Sequence, residues 1–219
     1  MPYVMRSLPV SAQGIGENGR VTRADWVNTT HDWAGSVDRE HLAQIRGDVG
    51  RYAPGGLLHL VQEVVAYPDD EAESSGRRGV CTITLHADGS ITVVDDGRGT
   101  DTRVDEHGRP IKKPVMATQD LRFFEDPAAP LLPDGHPRRG MSVVAALSDR
   151  LTHTNRRLNG SWTQRYEYGV PVTDLDPVDS HGTTGTSVHF HSTYFGPVSV
   201  ADLQACLDFR HLDIILSES

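Results

Sequence analysis

Cys81 and Cys206 are the only cysteines in 219 residues, and they lie far apart, Cys81 within an apolar run. Such scarcity excludes a disulfide framework and reads as two reduced core thiols in a cytoplasmic protein. No apolar stretch approaches the ~18 residues of a membrane span, and residues 1–19 lack the continuous apolar core of a secretory signal. Neither membrane attachment nor export is expected. Lysine is nearly missing too: of 21 basic residues only Lys112 and Lys113 are lysine, and 30 acidic residues bring the formal charge to -9. That sign repels a phosphate backbone, so nucleic acid is not an expected partner. What is present, 37% hydrophobic and 23% charged residues, suffices for one ordinary globular core and excludes fibrous or disordered classes.

Residues 1–36 mix Ser, Gly, Asn and Thr with Trp26 and Trp33 and show neither helical nor strand period, which predicts an arm. The arm is the expected route to a homodimer. The remainder, 37–219, reads as a single domain. Val37, Leu42 and Ile45 predict a short helix closing near Gly47 and Gly50. Leu57, Leu58, Leu60, Val61, Val64 and Val65 form a stronger helical stripe, which Pro68 is expected to kink or end. Residues 80–85 and 91–94 alternate around Asp88-Gly89 and predict a β-hairpin that runs into Asp95-Asp96-Gly97-Arg98-Gly99. Six prolines and little period predict an irregular lid over 100–139. A helix over 140–151, a hairpin of 152–157 with 161–170, a strand at 187–190, a helix over 200–209 and a strand at 214–216 complete the chain. The fold class is therefore α+β, a two-layer sandwich of helices on a mixed, largely antiparallel sheet.

Five ordered segments, GLLHLVQEVV at 56–65, SITVVDDGRG at 90–99, GMSVVAALS at 140–148, YEYGVP at 166–171 and GTTGTSVHF at 182–190, resemble the ATPase domain of the DNA gyrase B and topoisomerase IV family. The similarity spans about 37–216, and five motifs in order are far more specific than one glycine-rich loop. It implies the Bergerat-type ATP-binding fold of the gyrase, Hsp90, histidine kinase and MutL superfamily, with ATP or ADP between helices and sheet.

The resemblance assigns Glu63 as the carboxylate that activates water, Asp95 as the residue that reads adenine, and Thr186 as its support. Gly99 is the close-approach glycine, Arg98 with Glu71 a salt bridge at the mouth, and Arg157 a basic rim residue. Where the family carries a Mg²⁺-binding asparagine this chain has Tyr67, and a neutral phenol is a poor ligand for that ion. Where the family has a glycine-rich phosphate turn this chain has Gly135-His136-Pro137-Arg138-Arg139-Gly140. Pro137 lacks an amide donor, while Arg138 and Arg139 either bind an anion themselves or form a solvated basic pair beside Glu125, Asp126 and Asp134. Pro68 is expected to push Tyr67 toward the polar end of the pocket, the alternative being a Tyr67 that turns outward. His189 and His191 read as structural histidines, and the run Asp69-Asp70-Glu71-Ala72-Glu73 as a solvated helix end.

Three functions remain open on these residues. The first is a free-standing, degenerate gyrase-B-like domain that binds an adenine nucleotide or related small molecule, with weak or no ATP hydrolysis and no topoisomerase activity. The second is a metal-independent acid–base enzyme on a non-nucleotide substrate, with Glu63 as base. The third is a non-catalytic inhibitor-binding or regulatory protein.

Overall fold

The structure, a computed structural model, describes residues 37–100, 103–104, 110–111, 116–124, 128–158, 160–179 and 181–219. The predicted arm over 1–36, and the dimer contact assigned to it, lie outside the described residues. So do Glu125 and Asp126.

Asp38 accepts the His41 amide at 2.9 Å and so starts α1 (Arg39–Gly47), which a single turn, α2 (Val49–Tyr52), follows. The apolar stripe of residues 57–65 lies on α3 (Gly56–Ser75), the longest helix among the described residues. Strands β1 (Gly79–Leu85) and β2 (Ile91–Asp95) form the expected hairpin. A short ribbon, β3 (Arg103–Val104) and β4 (Pro110–Ile111), precedes α4 (Met141–Ala146). Then come β5 (Arg150–Arg156), β6 (Trp162–Glu167), β7 (Val170–Pro171), β8 (Asp176–Pro177), β9 (Gly185–His191), α5 (Val200–Cys206) and β10 (Leu212–Glu218).

The main sheet has the order β10-β1-β2-β9-β5-β6-β7, with β8 also on β6. Only the β1–β10 pair is parallel. Register builds its inner face in transverse rows. Ile83 pairs with Val93, Val93 with Val188, Val188 with His153 and His153 with Gln164, and all five are buried beneath the helices. The adjacent row runs from Cys81 across Asp95 and Thr186 to Asn155 and Trp162. Because a strand alternates faces, this second row points to the same side as the first and carries the polar groups. Burial, with the Asp95 charge opposite, pushes the Cys81 thiol up to about 12, and Cys206 is also unpaired by any disulfide.

Several element limits differ from the sequence reading. The helix expected over 140–151 ends at Ala146, because Arg150 already belongs to β5, and the helix over 200–209 ends at Cys206. The strand expected over 161–170 is β6 plus a turn at Tyr168 and Gly169 that folds back into β7. Most consequential is Pro68, which does not end α3. The helix continues for two more turns to Gly76, whose left-handed φ of +64° lets its amide close on the Ala72 and Glu73 carbonyls. Those turns are not a solvated end. Asp69 accepts the His211 amide at 2.9 Å, Asp70 pairs with Arg138 at 2.7 Å and Glu71 pairs with Arg98 at 2.9 Å, so three successive carboxylates tie α3 to three different segments.

Pro68 still withholds the amide that would bond the Val64 carbonyl. Pro68→Ala should therefore stabilise the fold by about 1–3 kcal/mol, read as a higher midpoint of urea unfolding with an unchanged slope. A loss of stability would mean that packing of the proline ring outweighs the missing hydrogen bond.

Candidate functional site

A cavity of about 150 Å³ opens between α3 and the inner face of the sheet. Its floor is the pair of rows just described: Val93, Val188 and His153 supply the apolar part, Asp95 and Thr186 the polar part. Val64, Tyr67, Pro68 and Glu71 of α3 form one wall, and Met116 and Met141 close the opposite side. The volume suits one flat heterocycle and falls below the ~300–1,000 Å³ of drug-sized ligand sites.

Asp95 is the best-positioned acceptor. Thr186 donates both its hydroxyl and its amide (3.2 Å) to Oδ2, and the Gly97 amide donates to Oδ1 at 2.8 Å. Burial pushes the Asp95 carboxyl above its usual range, and these three donors only partly offset the desolvation. Close approach here depends on Gly185 (φ +128°): a Cβ at that position would lie 2.0 Å from the Asp95 carbonyl oxygen. Gly99 (φ +75°) is also required by the chain itself, since a Cβ there would meet the Arg156 carbonyl at 2.5 Å. It lines the cavity while the chain crosses the end of β5. Asn155 clamps that crossing by accepting the Thr100 amide at 2.6 Å and donating to its carbonyl at 3.1 Å.

At the mouth, the backbone amide and Nε of Arg98 both donate to Glu71 Oε1, at 2.7 and 2.9 Å. Arg157 sits behind them, its Nη1 donating to the Gly99 carbonyl at 3.1 Å. Tyr67 lines the cavity, as one of the two expectations had it. Its hydroxyl donates to Asp120 Oδ2 at 3.1 Å and accepts the Met141 amide at 3.3 Å. Burial, reinforced by the Asp120 charge, holds this phenol well above its ordinary range, so it stays protonated.

Glu63, Arg138 and Arg139 lie behind Tyr67, outside the cavity lining. Glu63 is completely buried, and its two oxygens accept the amides of Arg139 (2.5 Å) and Gly140 (2.8 Å) at the start of α4. The Arg138 amide donates to the Pro130 carbonyl at 2.8 Å. Each amide from Arg138 to Met141 is thus held by a protein acceptor, and Pro137 has none to offer. Arg138 is not the solvated member of a basic pair: it is 4% exposed, with its guanidinium carbon 4.5 Å from the Tyr67 ring centre and 4.2 Å from that of Phe123.

His59 stands one turn before Glu63, its Nε2 3.6 Å from Glu63 Oε1 and its Nδ1 2.6 Å from Asp134 Oδ2. The i, i+4 spacing of His59 and Glu63 was visible in the sequence, but nothing local announced Asp134, 75 residues further on. His153 could have been found from alternation along β5, while Met116, within an aperiodic segment, carried no signal. The remaining expected histidines are hydrogen-bonded on β9, a central strand: His189 Nδ1 lies 2.9 Å from Thr92 Oγ1 and His191 Nδ1 2.6 Å from Asp149 Oδ1. Among the described residues no group of three or more His, Cys, Asp or Glu side chains could hold a metal ion, and no helix is long and apolar enough to cross a membrane.

No family model matches the chain. It is 34% identical over 178 residues to the DNA gyrase B subunit of Streptomyces coelicolor, an alignment covering 76% of this chain and 26% of that protein. It is 33% identical over 156 residues to the DNA topoisomerase 4 B subunit of Bacillus subtilis, covering 69% and 24%. The chain spans about a quarter of the length of these curated relatives. Among solved structures, the topoisomerase IV ATP-binding domain of Francisella tularensis, in complex with a small-molecule inhibitor, aligns with a TM-score of 0.63 and 27% identity. That alignment covers 81% of this chain and 90% of the Francisella domain.

The buried histidine makes a pH test. Burial alone would lower the pKa of His59, but the Glu63 and Asp134 carboxylates outweigh it and the net shift is upward from 6.5. A raised folded-state pKa contributes stability that is complete below the unfolded value of about 6.5 and is lost as pH rises through the folded value. Urea unfolding should therefore show stability falling above that range, with the fall shifted to lower pH in Asp134→Asn and abolished in His59→Gln. A flat profile in the parent protein would contradict this account.

Proposed function

We propose, from the premise that this chain is a homologue of the DNA gyrase B and topoisomerase IV B ATP-binding domains and carries their fold, that it binds an adenine nucleotide or a related small molecule and hydrolyses ATP weakly or not at all. The cavity supports the first half of this reading. A carboxylate acceptor beside a hydroxyl whose proton it already takes, over an apolar floor of Val93 and Val188, suits a flat heterocycle that presents donors, such as an exocyclic amine.

The observation that carries the second half lies at the start of α4. In the relatives' superfamily a glycine-rich turn offers its amides to phosphate. Here the amides of Arg138, Arg139, Gly140 and Met141 donate to Pro130, Glu63, Glu63 and Tyr67. A triphosphate would have to displace a buried carboxylate to reach them. With both its oxygens engaged and no place in the cavity lining, Glu63 acts as a positioning residue, so an acid–base enzyme that uses it as base has less support. The superfamily also implies Mg²⁺. The Tyr67 hydroxyl, neutral and already bonded to Asp120 and the Met141 amide, does not fit that ion.

A second reading, binding of an inhibitor-like small molecule without catalysis, draws on the same cavity and on the inhibitor complex of the Francisella domain. Both readings place Asp95 at the recognised donor.

Calorimetric titration with adenosine, ADP and ATP, with and without Mg²⁺, tests the proposal. Adenosine and ADP are expected to bind without help from Mg²⁺, and Asp95→Asn to weaken them by about 1–3 kcal/mol, since an amide leaves one hydrogen bond mismatched. ATP turnover matching that of an intact gyrase, and lost in Glu63→Gln, would overturn the reading.

A further inference from the structure

Arg138 presents an unused recognition edge. Its guanidinium is stacked between the rings of Tyr67 and Phe123, and only Nη1 has a partner, Asp70 Oδ2 at 2.7 Å. Nε and Nη2 are buried and have no hydrogen-bond acceptor. Those two nitrogens lie side by side on one edge of the planar group and form a complete two-pronged fork, the arrangement that matches both oxygens of a carboxylate or phosphoryl group. Leaving a charged donor pair dry and unpaired is costly, and buried polar groups are nearly always satisfied, so an orphaned fork calls for an explanation.

We propose that Arg138 is an oxyanion receptor whose Nε–Nη2 edge takes two oxygens of an anionic group carried by the ligand of the neighbouring cavity. The proposal deepens the binding reading above and rests on it for the identity of the remainder of the ligand. Tyr67 connects the two sites, lining the cavity and stacking on the guanidinium. Asp70 and the two rings fix the plane of the fork before any anion arrives, so little ordering remains to be done on binding. Phe123 is held in its stack by the turn through residues 121–124, where Arg122 grips Asp120 with three hydrogen bonds and the Arg139 Nη1 reaches the Phe123 carbonyl at 3.4 Å.

The fork takes over the task that the α4 amides have given up. Those amides would suit a chain of phosphates, whereas one planar fork suits a single two-oxygen group. The site therefore favours a ligand with one compact anion, a monophosphate or a carboxylate, over a triphosphate.

The test uses the whole chain with inorganic phosphate, acetate, adenosine and AMP as probes. The Arg138 Nε–H resonance, assigned by its loss in Arg138→Met, should shift on titration with phosphate, with acetate or with both, and the responding anion identifies the phosphoryl or carboxylate source. If phosphate responds, AMP should bind about 10- to 100-fold tighter than adenosine, and in Arg138→Met the two affinities should become equal. Arg138→Lys should recover only part of it, since a point charge lacks the fork. Phe123→Ala, which leaves both nitrogens in place but removes one of the rings that fix the guanidinium plane, should weaken binding of the responding anion and keeps the test decisive if Arg138→Met fails to fold. A resonance that ignores both anions, or equal anion affinity in the parent, Arg138→Met and Phe123→Ala proteins, would overturn the proposal. A response to phosphate or acetate with no binding of adenosine or AMP would instead remove the adenine reading and leave the receptor standing.

Discussion

The buried carboxylate of Glu63 is the constraint around which the polar half of the molecule is arranged. A charge with no solvent exposure survives only if its oxygens are saturated, and here two backbone amides do so while His59 stands one helical turn away. The bond pair pins the loop at Arg139 and Gly140 against α3, which in turn sets the start of α4 and brings Met141 to the Tyr67 hydroxyl. Beside that loop Arg138 lies inward, between Tyr67 and Phe123. Removing the carboxylate would release two amides and a histidine together, so these groups form one unit and are not independent contacts.

The two ends of the cavity differ in how far they follow the gyrase B resemblance. At one end the acceptor pair, Asp95 and Thr186, coincides with the residues that the resemblance assigns to adenine. That end is built by the sheet. Cross-strand register places the carboxylate and the hydroxyl on the same inward face, and Gly185 admits the backbone of β9 beside Asp95. The other end is built by helix α3 and the loop before α4, and there side chains fill the positions where the resemblance expects glycines and an asparagine. Sheet and helix layers can diverge in this way because they meet only through side-chain packing, whereas strands within the sheet are tied to one another by backbone hydrogen bonds.

Helix α3 carries both ends into one frame. Its first half supplies Val64 to the cavity and its second half, beyond Pro68, supplies Glu71 at the mouth. The proline removes one internal hydrogen bond, and the fold replaces that local support with tertiary support from His211, Arg138 and Arg98. Of the three side chains Arg138 is the most buried and Arg98 the most exposed, although Asp70, the partner of Arg138, is itself half exposed.

Much of the scaffold was legible in the amino-acid order. Period-3.6 spacing disclosed α3, alternation around Asp88-Gly89 disclosed the β1–β2 hairpin, and the ordered motifs pointed to a gyrase-B-like layer of helices on a sheet, with Asp95, Thr186, Arg98 and Glu71 near one another. The helix and the hairpin depend on residues close in sequence or on patterns that repeat, so local physics suffices to read them, whereas the meeting of Asp95 with Thr186, 91 residues apart, came only from the resemblance. The fate of Pro68, the acceptor role of Glu63, the burial of Arg138 and the link from His59 to Asp134 were decided only by the tertiary structure. Each depends on a partner at least 68 residues away, or on side-chain anchors contributed by other elements. Periodicity reports which face of an element is apolar. It carries no information about which distant acceptor will reach a buried donor, because that is settled by packing after the layers have closed.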